Sequence, residues 1–257
     1  MWNPDQYQRY ADERSRPFFD LMARTRATNP RAIADLGCGP GNLTAGLLER
    51  WPQARVWGMD SSREMLESAR PLGRAGRLEF VQADLRTWVS PEPLDVLVSN
   101  AALQWVPDHA HLIPRLAGLV APGGWLAVQM PGNFDAPLHT ILREVCASAR
   151  WAGQLSRLND EPRARETLRW YTEVLIQLGF SVDAWETTYL HVLHGQNPVL
   201  EWIKGTALRP ILAALEAQDQ PAFLEEYGSR LLEAYPATPS GTILPFRRVF
   251  FVAERAD

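Results

Sequence analysis

Short apolar runs recur through the first half of the chain, at 32–36, 55–60, 78–83, 94–100 and 125–130. Their length and β-branched content predict buried strands. Between them the apolar spacing changes to that of helices. Leu43, Leu47, Leu48 and Trp51 share one helical face, Arg63 to Ala69 forms a second helix, and Asp108 begins a third that runs toward Leu119. Pro122-Gly123-Gly124 reads as a turn before the fifth run. Strands alternating with helices in this way predict an α/β fold, a parallel sheet with helices on both faces.

Beyond residue 131 the rhythm differs. Leu138 to Ala149 and Thr167 to Leu178 read as helices, the second ended by Gly179. Residues 150–165 are polar and arginine-rich and read as a loop or lid. Phe180 to Leu193 alternates as a long strand, and Leu244 to Glu254 reads as the last strand. The helical stretch between them, 197–235, is broken by Pro210 and by Pro221 near a helix start. A helical insert between two strands suggests a cap over the strand ends. At the other terminus, residues 4–26 predict one or two helices. Tyr7, Tyr10, Phe18, Leu21 and Met22 are their apolar positions, and Arg9, Arg14, Arg16, Arg24 and Arg26 make them basic. No repeat, low-complexity tract or linker interrupts the chain. A single domain over 1–257 is expected, with 32–131 as its core and 197–235 as its cap.

Composition narrows the function. Of 257 residues, 46% are hydrophobic and 22% charged, enough for a full core. The net charge of −4 disfavours a nucleic-acid or membrane-surface footprint, so an anionic ligand would need a local cationic pocket. The two cysteines, Cys38 and Cys146, lack metal-ligand spacing, and no metal site is expected. Free thiols suit a reducing compartment. Met1 to Asp5 lacks the basic and apolar regions of a signal peptide, and no apolar run approaches a membrane span. A cytoplasmic monomer with a small-molecule substrate is the expectation.

The densest chemistry lies at Asp35-Leu36-Gly37-Cys38-Gly39-Pro40-Gly41-Asn42. Alternating glycines after a strand let the backbone approach a ligand closely, because no Cβ stands in the way. Amides at the following helix start can meet an electron-rich group. A dinucleotide fingerprint would place its third glycine where Asn42 stands. Asp35 beside the loop suits a cationic ligand better than a pyrophosphate. Asp60 follows 25 residues later at the tip of the second strand, one βαβ repeat on. It is placed to take both ribose hydroxyls. The competing reading is a helix cap shared with Ser61 and Ser62. Asp84-Leu85 ends the third strand, and Asn100 to Trp105 extends the fourth toward the edge where ligands of open sheets lie.

The acid-x-Gly-x-Gly-x-Gly loop resembles that of class I S-adenosylmethionine-dependent methyltransferases. More narrowly, the chain resembles the trans-aconitate 2-methyltransferase family nearly end to end. The likeness runs through Trp2-Asn3-Pro4, Glu13-Arg14-Ser15-Arg16-Pro17, the glycine loop and Gly58-Met59-Asp60-Ser61-Ser62. It continues through Asn100-Ala101-Ala102-Leu103-Gln104-Trp105-Val106-Pro107-Asp108-His109, Ala127-Val128-Gln129-Met130-Pro131, Trp185-Glu186-Thr187-Thr188-Tyr189 and Gly205-Thr206-Ala207-Leu208-Arg209-Pro210. The resemblance implies a Rossmann-like, mainly parallel sheet of seven strands with the last antiparallel, and a helical cap near the C-terminus. It implies S-adenosylmethionine as cofactor and a monomethyl ester of trans-aconitate as product. On this reading the cofactor is held by Asp35, Gly37, Cys38, Gly39, Gly41, Asn42, Asp60, Ser61, Asp84, Leu85 and Asn100, with Asp84 accepting from the adenine amino group. Residues 151–165 look least like the family, and as a lid they would bear on acceptor preference.

A carboxylate acceptor has a pKa of roughly 4 and is already a nucleophile at neutral pH, so no catalytic base is expected. None of the five histidines forms an acid–base constellation, and His109 and His111 read as surface or capping residues. The non-reacting carboxylates call for guanidinium partners, whose planar forks bind them bidentately. Arg209 in the cap is the first candidate, and Arg14, Arg16, Tyr171, Tyr189 and Arg247 follow. Gln104 and Trp105 would wall the methyl group. The alternatives are another small acid, a carrier-protein thioester, a quinone precursor, or a protein that binds S-adenosylmethionine without turnover. A nicotinamide-dependent oxidoreductase is disfavoured by the glycine spacing.

Overall fold

The computed structural model describes residues 11–155 and 166–257, with side chains described from residue 15 onward. Four parallel strands open the sheet: β1 (Ala32–Leu36), β2 (Arg55–Asp60), β3 (Leu78–Gln82) and β4 (Leu94–Asn100). α1 (Ala11–Arg24) precedes them, and α2 (Asn42–Arg50) and α3 (Arg63–Ala69) connect them. α4 (His109–Ala117) leads into β5 (Val120–Pro131), which pairs in parallel with β4. α5 (Pro137–Ala147), α6 (Ala152–Leu155) and α7 (Leu168–Gln177) come next, then the long strand β6 (Phe180–Leu193). α8 (Pro198–Lys204), α9 (Leu208–Ala214) and α10 (Gln220–Ala234) lie between β6 and the final strands β7 (Ala237–Thr238) and β8 (Gly241–Arg255).

The strand order is β3-β2-β1-β4-β5-β8-β6, and β8 runs antiparallel to both of its neighbours. The seven strands implied by the resemblance form this path; the two-residue β7, paired only with β8, is an eighth among the described residues. The order reverses between β1 and β4, and a crevice opens above the carboxyl ends of strands at such a point. All five residues of β1 are buried, as a strand covered on both faces requires. One face packs on α1 and α2 through Phe18, Leu21, Met22, Leu47 and Leu48. The other packs on α4 and α7 through Leu112, Ile113, Leu116, Tyr171 and Leu175.

Three departures from the sequence pattern bear on the site. First, β5 begins at Val120 and absorbs the expected Pro122-Gly123-Gly124 turn as an irregularity: Leu94 pairs with Val120, and Val96 with Trp125. Gly124 allows this, since a Cβ there would stand 2.8 Å from the Leu94 carbonyl. Second, Pro210 does not break the cap. It sits in the first turn of α9, where its missing amide has no intrahelical partner to lose; the break falls at Gly205. Third, α5 and α6 join α8–α10 in a separate apolar cluster built on Leu142, Val145, Trp151, Trp202, Phe223 and Tyr227. The helical layer therefore draws on residues 137–155 as well. α6 lies inside the stretch read as a loop, of which 156–165 are outside the described residues, as are Tyr7, Arg9 and Tyr10.

Candidate active site

The glycine loop is built by three left-handed residues, each doing a different job. Gly37 (φ 77°) packs so closely that an added Cβ would stand 2.2 Å from the Ala102 Cβ. Gly41 (φ 80°) would clash with Phe80. Gly39 (φ 55°) has no atom within 4 Å of the same position and lines a cavity of about 590 Å³. The loop is latched to the end of β2: the Gly37 and Cys38 amides donate to the Met59 carbonyl at 2.7 and 2.9 Å, and the Gly39 amide donates to Asp60 Oδ2 at 2.9 Å. Asp60 Oδ1 accepts from the Ser62 amide at 2.8 Å, and the Ser62 hydroxyl caps α3. Asp60 thus steadies the loop and lines the cavity, and Ser62 is the helix cap.

Ser61, Asp84, Leu85 and Asn100 line the same cavity. The Asp84 carboxylate accepts from Arg86 Nε at 2.9 Å and from the Arg86 amide at 2.8 Å, which hold it below the usual carboxylate range. Asp35 is elsewhere. It is buried beneath the loop and accepts the Thr44 hydroxyl at 2.6 Å, and it does not line the cavity. Burial pushes its pKa up to about 6, the Thr44 bond opposes that, and the Asp60 charge adds to it. The Cys38 thiol is buried against the Gly39 carbonyl, and burial raises its pKa. Asn42 begins α2 on the exposed surface.

At the end of β4 the chain turns through Ala101, whose φ of 55° is a strained value for a residue with a Cβ. This turn seats Ala102 against Gly37 and starts the short 3-10 turn Leu103–Trp105. Asn100, Ala101, Trp105 and Thr206 line both the large cavity and a smaller one of about 130 Å³. The smaller cavity is also lined by Gln104, His139, Phe246 and Arg248, with Phe134, Leu138 and Trp202 as apolar walls. Gln104 Nε2 donates to the Ala101 carbonyl at 2.7 Å.

The expected acceptor residues are scattered. Arg209 lines the large cavity beside Asp60, Ser61 and Ser62, not the smaller one. Tyr189 is buried in the core, where its hydroxyl donates to Asp20 at 2.5 Å, and Tyr171 is buried against His109; neither lines either of these two cavities. Arg247 pairs with Asp135 and Glu186 at 3.1 Å each, and Arg16 lies 5.9 Å from the Tyr189 ring. Arg14 falls in α1, and its side chain is outside the described part. His109 is a buried residue, 2% exposed, not a surface one. Arg248 and His139 are among the cavity residues that the sequence pattern did not single out. Arg248 continues the alternating row Leu244, Phe246, Phe250 and Val252 of β8, and that period could have revealed it. His139 shares a helical stripe with buried Leu142 and Cys146 of α5.

Residues 33–124 match the model of a methyltransferase domain family. The chain is 52% identical to the trans-aconitate 2-methyltransferase of Streptomyces avermitilis, over 99% of this chain and 97% of that one. It is 49% identical to the trans-aconitate 2-methyltransferase of Rhodococcus jostii, over 99% of each. In fold it is similar to the phosphoethanolamine N-methyltransferase 2 of Haemonchus contortus, solved with S-adenosyl-L-methionine. That match has a TM-score of 0.53 at 17% identity and covers 93% of this chain and 52% of that one. Identity near one half, carried over nearly the whole of both chains, places this chain in the trans-aconitate 2-methyltransferase family.

Proposed function

We propose that this protein transfers the methyl group of S-adenosylmethionine to one carboxylate of trans-aconitate, forming a monomethyl ester. The observation that carries the reading is the pair of cavities meeting at Asn100, Ala101, Trp105 and Thr206. A cofactor in the larger and an acceptor in the smaller would touch at that wall. The residues fit the cofactor. Gly39 leaves open the space a Cβ would fill, and Asp60 lines the same cavity. Asp60 already accepts two amides, and a carboxylate has about four lone-pair sites, so two remain for ribose hydroxyls. Asp84 and Leu85 would face the adenine.

When bound, the cofactor supplies an electrophilic methyl on a sulfonium. The acceptor oxygen, ionised at neutral pH, would take that methyl in a new carbon–oxygen bond, the electron pair of the broken sulfur–carbon bond remaining on sulfur. No proton moves, so the chain has no base to provide. Its work is alignment, which can supply on the order of 7–11 kcal/mol. The reaction also annihilates charge, and a water-poor site favours that; Leu138, Trp202 and Phe246 provide such walls. The smaller cavity holds on the order of ten waters, at about 10–15 Å³ each, the scale of a small acid and not of a carrier-protein arm.

The test is a methyl-transfer assay on a panel of di- and tricarboxylates, with products weighed by mass spectrometry. A monomethyl ester from trans-aconitate, and little from citrate or isocitrate, is the expected result. Intact cofactor binding without an ester from any acid would overturn the reading.

A further inference from the structure

Asp84 and Arg86 stand just beyond the end of β3, and both line the larger cavity. The turn that carries them closes on itself: the Thr87 and Trp88 amides donate to the Asp84 carbonyl at 3.0 and 2.8 Å. Arg115 of α4, which does not line the cavity, donates to the Trp88 carbonyl and ties the turn to that helix.

Within the turn both oxygens of Asp84 are occupied. Oδ1 accepts from the Arg86 amide at 2.8 Å and from Arg86 Nε at 3.0 Å. Oδ2 accepts from Nε at 2.9 Å and from Nη2 at 2.5 Å. An ionised carboxylate offers about four lone-pair sites, so these four contacts fill it. Asp60, in the same cavity, accepts two amides and keeps room for two more donors. The resemblance to the family would have Asp84 accept from the adenine amino group. A neutral amine would then have to displace a charge-assisted contact, and such contacts are roughly twice as strong as neutral ones.

What the pair offers the cavity is the guanidinium itself. Chelation through Nε and Nη2 spends one edge of the fork and fixes its plane. A guanidinium is planar, delocalised and weakly hydrated, and it stacks on aromatic faces. Every nucleobase presents such a face. The two side chains are 61% and 40% exposed, and an ion pair so open to water contributes little to the stability of the fold.

We propose that Arg86, locked by Asp84, lays its guanidinium plane against the purine of the cofactor, and that Asp84 is a positioning residue acting through Arg86. The purine is then recognised by its face and not by its amino group. The proposal rests on the methyl-transfer reading and deepens it by naming the residue that holds the purine.

The experiment is titration calorimetry of wild type, Arg86→Ala, Arg86→Lys and Asp84→Asn. The probes are S-adenosylhomocysteine and its analogue with hydrogen in place of the 6-amino group. Wild type should bind the two within about threefold of each other, because stacking is tolerant of the base. Arg86→Ala should lose about tenfold or more on both probes. Arg86→Lys should lose nearly as much, since an ammonium has no planar face. Adding Asp84→Asn to Arg86→Ala should cost less than about twofold more, the non-additivity of a residue that acts through its neighbour. Thermal melts confirm that each variant is folded.

Equal or tighter binding in Arg86→Ala overturns the proposal, because the arginine would then compete with the purine for Asp84. A wild type that rejects the deaminated analogue by about tenfold or more, with the rejection lost in Asp84→Asn, also overturns it, because Asp84 would then read the amino group. Should Arg86→Ala fail to fold, Arg86→Lys and the two probes on wild type decide by the same criteria. Should wild type bind neither probe, the cofactor reading fails and takes this proposal with it; binding with the wrong pattern overturns the proposal alone.

Discussion

The Tyr171 hydroxyl lies 2.6 Å from His109 Nδ1, and His109 Nε2 lies 3.0 Å from the Leu103 carbonyl. A carbonyl only accepts, so Nε2 carries the proton and Nδ1 accepts from the tyrosine. Burial keeps the ring neutral. Residues from α4 and α7 thereby hold the start of the turn that presents Gln104 and Trp105 to the cavities. The two side chains support the site from behind and do not line it.

Tyr171→Phe should leave His109 with an unsatisfied buried nitrogen, at a cost of about 1–3 kcal/mol in urea denaturation. Because the turn borders the smaller cavity, kcat/KM for the acceptor should fall several-fold more than S-adenosylmethionine affinity. Equal losses in both would argue against a positioning role.

The glycines make a sharper contrast. Gly37→Ala should prevent a stable fold or abolish cofactor binding, because its methyl group would overlap Ala102. Gly39→Ala should fold, at a left-handed penalty of about 1–2 kcal/mol, and lose at least about tenfold in cofactor affinity as the methyl enters the cavity. Thermal melts with calorimetry separate the two outcomes. Full affinity in Gly39→Ala would remove the cofactor from the loop.

Arg209→Ala should weaken S-adenosylmethionine binding more than it raises the KM for the acceptor, since Arg209 lines the cavity of Asp60 and Ser61. Asp60→Ala should weaken the cofactor by about 10- to 100-fold, the scale of a lost charged hydrogen bond. Titration calorimetry with kinetics at saturating cofactor checks both.

Two buried groups set opposing pH dependences. His191 is pushed from 6.5 to about 4, so its contribution is complete above pH 6.5 and is lost as pH falls toward 4. Asp35 is raised from 3.8 to about 6, so its contribution is complete below 3.8 and is lost as pH rises through 6. Each amounts to about 3 kcal/mol at 1.36 kcal/mol per unit, and they largely cancel between pH 4 and 6. Asp35→Asn, without cofactor, should be more stable than wild type at pH 8, and the difference should vanish near pH 4. A pH-independent difference in urea midpoints would refute the assignment.

Local pattern sufficed for much of this molecule. The runs of β1–β4, the helices after β1, β2 and β4 and the conformational demand of Gly37, Gly39 and Gly41 are properties of short stretches, and Asp60, Ser61, Asp84, Leu85 and Asn100 do line one cavity. What local pattern could not supply was direction. Arg247 and Arg248 are neighbours whose side chains leave β8 on opposite faces, as pleating requires. Only the pairing of β8 between β5 and β6 sends Arg248 to the cavity and Arg247 to Asp135 and Glu186. Tyr189, Tyr171 and Arg209 are ambiguous for the same reason: each has the right chemistry for an acceptor, and its distant neighbours decide where that chemistry points. The chain alone determined the elements and the cofactor loop, because those depend on residues a few positions apart. The smaller cavity was decided by the tertiary structure, because β4, β5 and α5 meet there with cap helices and β8 from much farther along the chain.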